Sequence, residues 1–133
     1  MTRALDLLAK FPVPSVAGAV LLDGVVVDHE GPLDRPFNLA SVAKTITSWA
    51  VLIAVEEGVV SLCDEVGPPP NNGVRTLRHL LAHAGGYGFD GPTPIASPER
   101  NRIYSNTGIE VAADYVATAA GMPFEDYLRI GLL

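Results

Sequence analysis

The sequence is poor in cysteine, in basic residues and in long apolar runs, and each shortage removes a class of protein. Its one cysteine, Cys63, cannot form an intrachain disulfide, so nothing requires an oxidising compartment. Nine Lys and Arg against 15 Asp and Glu give a net charge of -6, which disfavours nucleic acid as a partner. Asp6 and Lys10 interrupt any signal-like apolar region, and no apolar run is long enough for a membrane span. We therefore predict a cytoplasmic protein with no nucleic-acid or membrane partner.

Apolar residues are plentiful, and their spacing predicts the first elements of the fold. They make up 48% of the 133 residues, enough for the core of one ordinary domain. Residues 3–10 have the spacing of a short amphipathic helix. Asp23-Gly24 separates two β-rich runs, 16–22 and 25–27, and such a dipeptide favours a tight turn with positive φ. A helix followed by an antiparallel hairpin is expected.

The remainder of the chain is predicted to be mainly helical. Residues 41–57 carry apolar side chains on nearly every side and are followed by Gly58, which predicts a buried helix with Trp49 as core filling. Three shorter helices are expected further on, and a Gly- and Pro-rich loop over 88–101 precedes the second of them. These helices lie over 77–83, over 106–121 with Asn106 as a candidate cap, and after Pro123.

Ser41 and Lys44 form a Ser-x-x-Lys pair at the start of the long helix. Positions i and i+3 lie on one helix face, so the Lys44 amine can reach the Ser41 hydroxyl. A lysine inside an apolar helix is costly, and desolvation lowers its pKa toward that of a base able to activate a serine. Backbone N–H groups at the helix N-terminus would favour a developing oxyanion. The spacing alone is close to chance, so the apolar context carries the argument.

Tyr104 and Asn106 supply plausible partners for this pair. A phenol can relay a proton to a leaving group, and an amide can bridge Lys44 to a substrate. The alternative is an ordinary loop tyrosine followed by a helix cap.

Several segments, in their order and spacing, resemble the serine β-lactamase and penicillin-binding-protein superfamily. The nearest branch is that of class C β-lactamases, D-alanyl-D-alanine carboxypeptidases and related esterases. The segments that carry the resemblance are Phe37-Asn38-Leu39-Ala40-Ser41-Val42-Ala43-Lys44, Glu56-Glu57-Gly58 with Leu62 and Asp64, Arg78-His79-Leu80-Leu81-Ala82-His83 with Gly85-Gly86, Tyr104-Ser105-Asn106-Thr107-Gly108, and Gly121-Met122-Pro123-Phe124 with Tyr127-Leu128.

The resemblance implies a fold and a set of roles. The fold would be α+β and β-lactamase/transpeptidase-like. Ser41 would be the nucleophile, Lys44 its base, Tyr104 the proton relay and Asn106 an orienting group. The reaction would be acyl transfer through a covalent acyl-enzyme on a small-molecule ester, amide or β-lactam, with no metal or organic cofactor. A cytoplasmic location favours an esterase or small-amide hydrolase over a peptidoglycan enzyme.

The chain departs from this family after its Tyr-x-Asn motif. The third motif, Lys-Thr-Gly or His-x-Gly, and the closing strands of the sheet are absent. We therefore expect residues 1–133 to be the N-terminal portion of one domain roughly twice as long. Residues 1–40 would form its helix and sheet segment, residues 41–133 its nucleophile helix and helical lobe, and a C-terminal segment would be the partner that completes the fold. A catalytically inert fragment with a binding or structural role is the alternative.

Two other kinds of site are weaker hypotheses. His79 and His83 have the His-x-x-x-His spacing of metal ligands on one helix face, without an obvious third ligand, and local packing explains them more simply. Five carboxylates were considered as a possible glycoside hydrolase pair, and no two of them have a specific spacing. They are Asp64, Glu65, Glu99, Glu110 and Asp114. Cys63 lies in no reactive motif and is expected to be inert.

Overall fold

A computed structural model describes residues 3–67 and 73–133 of the chain. The chain divides into two compact units, one ending at Asn38 and the other beginning at Leu39. The first contains a 3₁₀ helix and a two-stranded sheet, and the second is helical. Within the described ranges, no helix is both long enough and apolar enough to cross a bilayer.

The first unit is built around the predicted hairpin. Strand β1, Gly18–Leu22, pairs antiparallel with β2, Val25–Glu30, and the register shifts between Val20 and Leu21. Asp23 and Gly24 have φ of 51° and 79°, as the tight turn requires, so the predicted hairpin is confirmed. The predicted helix at residues 3–10 is present as a 3₁₀ helix, Ala4–Lys10.

This hairpin buries little of its apolar surface. Arg3 forms exposed ion pairs with Asp6 beside it and with Asp28 and Glu30 of β2. The apolar side chains near the turn are between 43% and 64% exposed, and they belong to both strands: Val20, Leu21, Leu22, Val25, Val26 and Val27. The unit is thus held by strand pairing and surface contacts, with Leu5 as its one buried hydrophobic residue among those described.

The second unit has a continuous apolar core made by four helices. These are α1, Ala43–Glu56; α2, Leu77–Leu81; α3, Asn106–Ala120; and α4, Phe124–Gly131. Residues three or four apart on each helix point into this core, as the helical period requires. Its members include Val51, Ala54, Leu77, Leu80, Ala112, Val116 and Tyr127.

Helix α1 is less buried than the sequence predicts. Only Ala50, Val51 and Ala54 are buried along it, while Trp49 is 60% exposed and Leu52 46% exposed. The predictions of an all-round buried helix and of Trp49 as core filling are therefore wrong for this chain. The physical reason is that α3 and α4 pack against one side of α1, and no described helix or strand of this unit covers the other.

The ends of the shorter helices follow local side-chain chemistry. Thr76 caps α2 by accepting from the His79 N–H, and Pro123 precedes the first residue of α4, as predicted. Helix α2 ends at Leu81, two residues before the predicted end at residue 83. Ser105 caps α3, since its Oγ accepts from the Gly108 N–H at 2.9 Å. The expectation that Asn106 caps this helix is wrong, because Asn106 is its first helical residue.

Candidate active site

Ser41 and Lys44 meet at the start of α1. Ser41 lies in a 3₁₀ turn, Ala40–Val42, and Lys44 is the second residue of α1. The Lys44 Nζ lies 3.4 Å from the Ser41 Oγ, so the reach expected from the four-residue spacing is present. Lys44 is half-buried and Ser41 is exposed, and an incoming molecule can therefore approach the hydroxyl.

The 3₁₀ turn reduces the number of backbone N–H groups that are available to bind an oxyanion near Ser41. The Val42 N–H donates to the Leu39 carbonyl at 3.0 Å, and the Ala43 N–H donates to Ala40 and Ser41 carbonyl oxygens. Two of the N–H groups expected to favour an oxyanion are thus already bonded. Ala40 has a φ of 45°, so the residue before Ser41 is held in a backbone conformation that L-residues seldom adopt.

Tyr104 joins the pair, although it lies 63 residues after Ser41 in the sequence. A hydrogen bond from the Ser41 side chain is the largest cause that lowers the pKa of the Tyr104 phenol. A hydrogen bond from Lys44 and the charge of Lys44 lower it further, against partial desolvation, which raises it. The Lys44 Nζ also lies 5.2 Å from the centroid of the Tyr104 ring. Lys44 thus hydrogen-bonds Ser41 and lies against the Tyr104 ring, so the three side chains form one cluster.

Asn106 lies beside this cluster on the first turn of α3. It lines, with Lys44, Ala40 and Ala43, a small cavity of about 280 Å³. Its side-chain Nδ2 donates to the Asp90 carboxylate at 2.8 Å, and its backbone N–H donates to the Phe89 carbonyl at 2.8 Å.

A larger cleft of about 520 Å³ opens over the cluster. Its apolar wall comes from Trp49, Leu52, Leu81 and Ile109, and its polar lining comes from Ser41, Lys44, Thr45, Ser48, His83, Arg102 and Tyr104. None of the lining residues is acidic, although the chain as a whole carries a net charge of -6. The cleft has the mixed lining and the size of a small-molecule site.

Two residues of the site were not identified from the sequence as parts of it. Asp90 holds the amide of Asn106, and His83 accepts a hydrogen bond from the Ser105 N–H at 3.2 Å and packs against Tyr104. Burial is the largest cause that lowers the pKa of His83, and the charges of Arg102 and Lys44 lower it further. A polar residue in a glycine-rich loop was the one available signal for Asp90.

The structure also shows the surroundings of the residues considered for a metal site or a carboxylate pair. The two ring nitrogens of His79 are bonded to the Thr76 N–H and the Glu99 carboxylate, at 3.1 and 2.9 Å. His79 therefore bonds both at its own helix start and to Glu99, whereas His83 contacts Tyr104 and Ser105, so the simpler interpretation of local bonding is correct only for the Thr76 contact of His79. Among residues 3–67 and 73–133, no group of three or more His, Cys, Asp or Glu is placed to hold a metal ion. Asp64 accepts from the Tyr115 hydroxyl and the Ser61 N–H, which gives it a structural role.

Comparison with known proteins identifies the class to which this fold belongs. The structure superimposes on a crystal structure of a beta-lactamase from Mycobacterium bovis with a TM-score of 0.85 and 40% identity, covering 98% of this chain and 46% of that one. It also matches the octameric penicillin-binding protein homologue from Pyrococcus abyssi, with a TM-score of 0.74 and 22% identity, over 96% and 40% of the two chains. The fold is thus the expected α+β, β-lactamase-like one, present as an incomplete domain.

The family assignment rests on the sequence as well. The beta-lactamase family model matches residues 6–133, so this chain belongs to the beta-lactamase family. Penicillin-binding protein 4* of Bacillus subtilis is 27% identical over 72% of this chain and 28% of its own length. The chain therefore spans less than half the length of these relatives.

Proposed function

We propose that this chain carries the nucleophile portion of a serine hydrolase that works through an acyl-enzyme on Ser41. The observation that carries the proposal is the cluster of Ser41, Lys44 and Tyr104 in the lining of the 520 Å³ cleft, with the Lys44 Nζ 3.4 Å from the Ser41 Oγ. A serine hydroxyl becomes a nucleophile only when a nearby base takes its proton, and two candidate bases touch this one. Membership of the beta-lactamase family supports a serine hydrolase in general terms.

The first step would be attack of the Ser41 Oγ on a substrate carbonyl carbon. The hydroxyl proton passes to the Lys44 amine or to the Tyr104 phenolate, and the carbonyl oxygen takes up the negative charge. The lowered pKa of Tyr104 increases the phenolate fraction near neutral pH, which favours its action as a base. In the second half of this step the phenol returns the proton to the departing alcohol or amine.

Water would then hydrolyse the acyl-enzyme through the same groups acting in reverse. Asn106 is proposed to orient the substrate and Lys44, with its amide held by Asp90. A second oxyanion donor would come from the third motif, on a C-terminal segment beyond these 133 residues. Loss of one such donor typically lowers kcat by about 10²–10³. We therefore expect the full-length gene product to turn over faster than this chain alone.

Esters, amides and β-lactams are the candidate substrate classes. The cleft combines an apolar wall with cationic groups, which suits a small molecule with an apolar acyl or leaving group. The predicted cytoplasmic location favours a small ester or amide. Short p-nitrophenyl esters and a chromogenic cephalosporin distinguish the alternatives, and a strong preference for the cephalosporin would contradict the esterase proposal.

Covalent labelling tests the nucleophile directly. We expect a fluorophosphonate probe to label the full-length gene product, and Ser41→Ala to abolish that labelling. Ser48→Ala is the matched control, because Ser48 lines the same cleft one to two helical turns away and should label at the parent rate. Tyr104→Phe removes the proton relay and should slow labelling by about 10²–10⁴-fold.

The outcomes of this experiment separate the enzyme from the inert fragment. Labelling that persists in Ser41→Ala would assign the nucleophile to another residue. No Ser41-dependent labelling of the full-length gene product would favour a binding or structural role over catalysis.

A further inference from the structure

His83 occupies a backbone position that ordinarily belongs to glycine. It follows the end of α2, where its own N–H donates to the Leu80 carbonyl at 3.0 Å and the Ala84 N–H donates to the His79 carbonyl at 2.7 Å. This pair of bonds is the Schellman pattern of a helix C-terminus, in which the residue after the cap takes a left-handed conformation. His83 has a φ of 57° there, although glycine would adopt it without steric cost.

The side chain kept at this strained position contacts the segment that carries Tyr104. Three successive residues of that segment are held. The His83 carbonyl accepts from the Ile103 N–H at 2.8 Å, its ring centroid lies 4.7 Å from that of Tyr104, and its Nδ1 accepts from the Ser105 N–H at 3.2 Å. Because Ser105 is also the N-cap of α3, the same contacts reach the helix end that bears Asn106.

The bond to Ser105 defines the protonation state of the imidazole. An N–H donor at Ser105 requires a lone pair on Nδ1, so the ring is neutral with its hydrogen on Nε2. The partial burial of the ring, followed by the positive charges of Arg102 and Lys44, favours this neutral form. The imidazole therefore acts as a fixed hydrogen-bond acceptor and a packing surface.

We propose that His83 is a positioning residue, which fixes the Tyr104 phenol against Ser41 and Lys44 by clamping residues 103–105 to the C-terminus of α2. The proposal rests on the proposed function for its catalytic consequence, and the clamp itself is a separate structural claim. Tyr104 is 44% exposed, and its partner rings in the structure are His83 and Phe89, the latter with centroids 6.0 Å apart. Without the His83 contacts, the phenol would sample positions away from the Ser41 hydroxyl.

Three variants of the full-length gene product test the clamp. His83→Gly removes the imidazole and suits the positive φ, so the protein should fold and keep the backbone bond to Ile103 while the side-chain contacts with Tyr104 and Ser105 are lost. His83→Asn also tolerates positive φ and offers its Oδ1 to the Ser105 N–H, so it should restore part of the effect. Asp23→Gly is the matched control, because it relieves a positive φ in the hairpin turn, which belongs to the other unit of the chain.

Two measurements distinguish the positioning of Tyr104 by His83 from the reaction of Ser41. The first is the ionisation of Tyr104, followed by NMR of protein with ¹³C-labelled tyrosine ring carbons and assigned with Tyr104→Phe. In His83→Gly we expect the pKa of Tyr104 to move back toward its ordinary value. The second is the rate of fluorophosphonate labelling of Ser41, which should fall by about 10- to 100-fold in His83→Gly, with kcat lowered more than KM is raised on an ester substrate. His83→Asn should lie between, and Asp23→Gly should match the parent.

Each outcome decides the proposal. If His83→Gly leaves both the Tyr104 titration and the labelling rate at parent values, the clamp is disproved. If no form of the protein is labelled, the proposed function fails, and the Tyr104 titration still decides whether His83 positions the phenol. If His83→Gly does not fold, His83→Asn decides. A Tyr104 pKa between that of the parent and that of a free tyrosine supports the clamp, and a Tyr104 pKa equal to that of the parent contradicts it.

Discussion

The two units of this chain use similar apolar residues to very different effect. In the helical unit, Val51, Leu77, Leu80 and Val116 are fully buried and belong to one core. In the hairpin unit, strand residues of the same kind stay exposed, with Leu21 at 61% and Val25 at 64%. An isolated two-stranded hairpin has no opposite layer on which to pack its faces, whereas four helices can enclose a core between them.

This difference teaches where the candidate chemistry can be held firmly. Ser41, Lys44, Tyr104 and Asn106 all belong to the helical unit, and α1 and α3, which carry Lys44 and Asn106, pack on each other. Preorganisation of reacting groups depends on rigid support, and the buried core supplies it. The contrast between the units can be tested residue by residue, starting with the largest effect.

Truncation of a leucine side chain should show the largest difference in stability between the two units. In the 133-residue chain, Leu80→Ala removes a fully buried side chain, and we expect it to lower the free energy of unfolding by about 2–5 kcal/mol. The matched Leu21→Ala in the hairpin removes the same atoms from an exposed position and should cost less than about 0.5 kcal/mol. Urea unfolding followed by circular dichroism measures both. Equal losses in the two variants would show that the hairpin is packed as tightly as the helical core.

Serine hydroxyls provide a second, smaller contrast. Ser105→Ala deletes the N-cap of α3 and should cost about 0.5–2 kcal/mol, because the Gly108 N–H loses its acceptor in a buried site. Ser15→Ala deletes a hydroxyl that accepts from exposed Arg35 in the hairpin unit, and its effect should stay within about 0.5 kcal/mol. The same denaturant titration compares them. A Ser15→Ala loss as large as that of Ser105→Ala would contradict the view that the hairpin's polar contacts are weak.

The pH dependence of the free energy of unfolding provides a third comparison of the two units. The Tyr127 hydroxyl donates to the Glu57 carboxylate at 2.6 Å, and burial, followed by this bond and the charge of Glu57, raises the pKa of Tyr127 to about 12. A tyrosine in the unfolded chain has a pKa of about 10. The stabilisation that comes from the raised pKa of Tyr127 is therefore complete below about pH 10 and is lost as the pH rises toward about 12. Tyr127→Phe should cost about 0.5–1.5 kcal/mol at neutral pH and flatten that alkaline loss.

The hairpin supplies the matched control for this prediction. Arg3→Met removes three exposed ion pairs and should change stability by less than about 0.5 kcal/mol, with no new slope above about pH 10. Thermal melts between pH 7 and 12 follow both variants. An unchanged alkaline slope in Tyr127→Phe would mean that another group governs unfolding there, and Tyr115, whose pKa is also raised, would be examined next.

The elements that could be predicted from the sequence are those fixed by local chemistry. Asp23-Gly24 determines the hairpin turn, Gly121 ends α3 with a φ of 68°, and Pro123 precedes α4. These signals act within a few residues and need no tertiary contact. Burial does depend on tertiary contact. The apolar face of α1 was therefore predicted to be buried, although Trp49 and Leu52 are exposed.

The candidate site was predictable in its members and less so in its connections. Tyr104 and Asn106 were placed near Ser41 and Lys44 by their chemistry and by the family resemblance, and the structure brings the four residues together. The cap at Ser105, the bond from Asn106 to Asp90 and the positive φ of His83 were not predicted. Each of these depends on the path of the backbone between helices, which no local spacing specifies.

The exposure of Trp49 gives the protein a built-in optical probe. It is the single tryptophan of the chain, and it lies on the wall of the same cleft as Ser41. Indole emission responds to the polarity of its surroundings, and no other tryptophan in these 133 residues would mask the signal. Occupancy of the cleft can thus be followed by intrinsic fluorescence, without a chromogenic substrate and before any chemistry on the serine takes place.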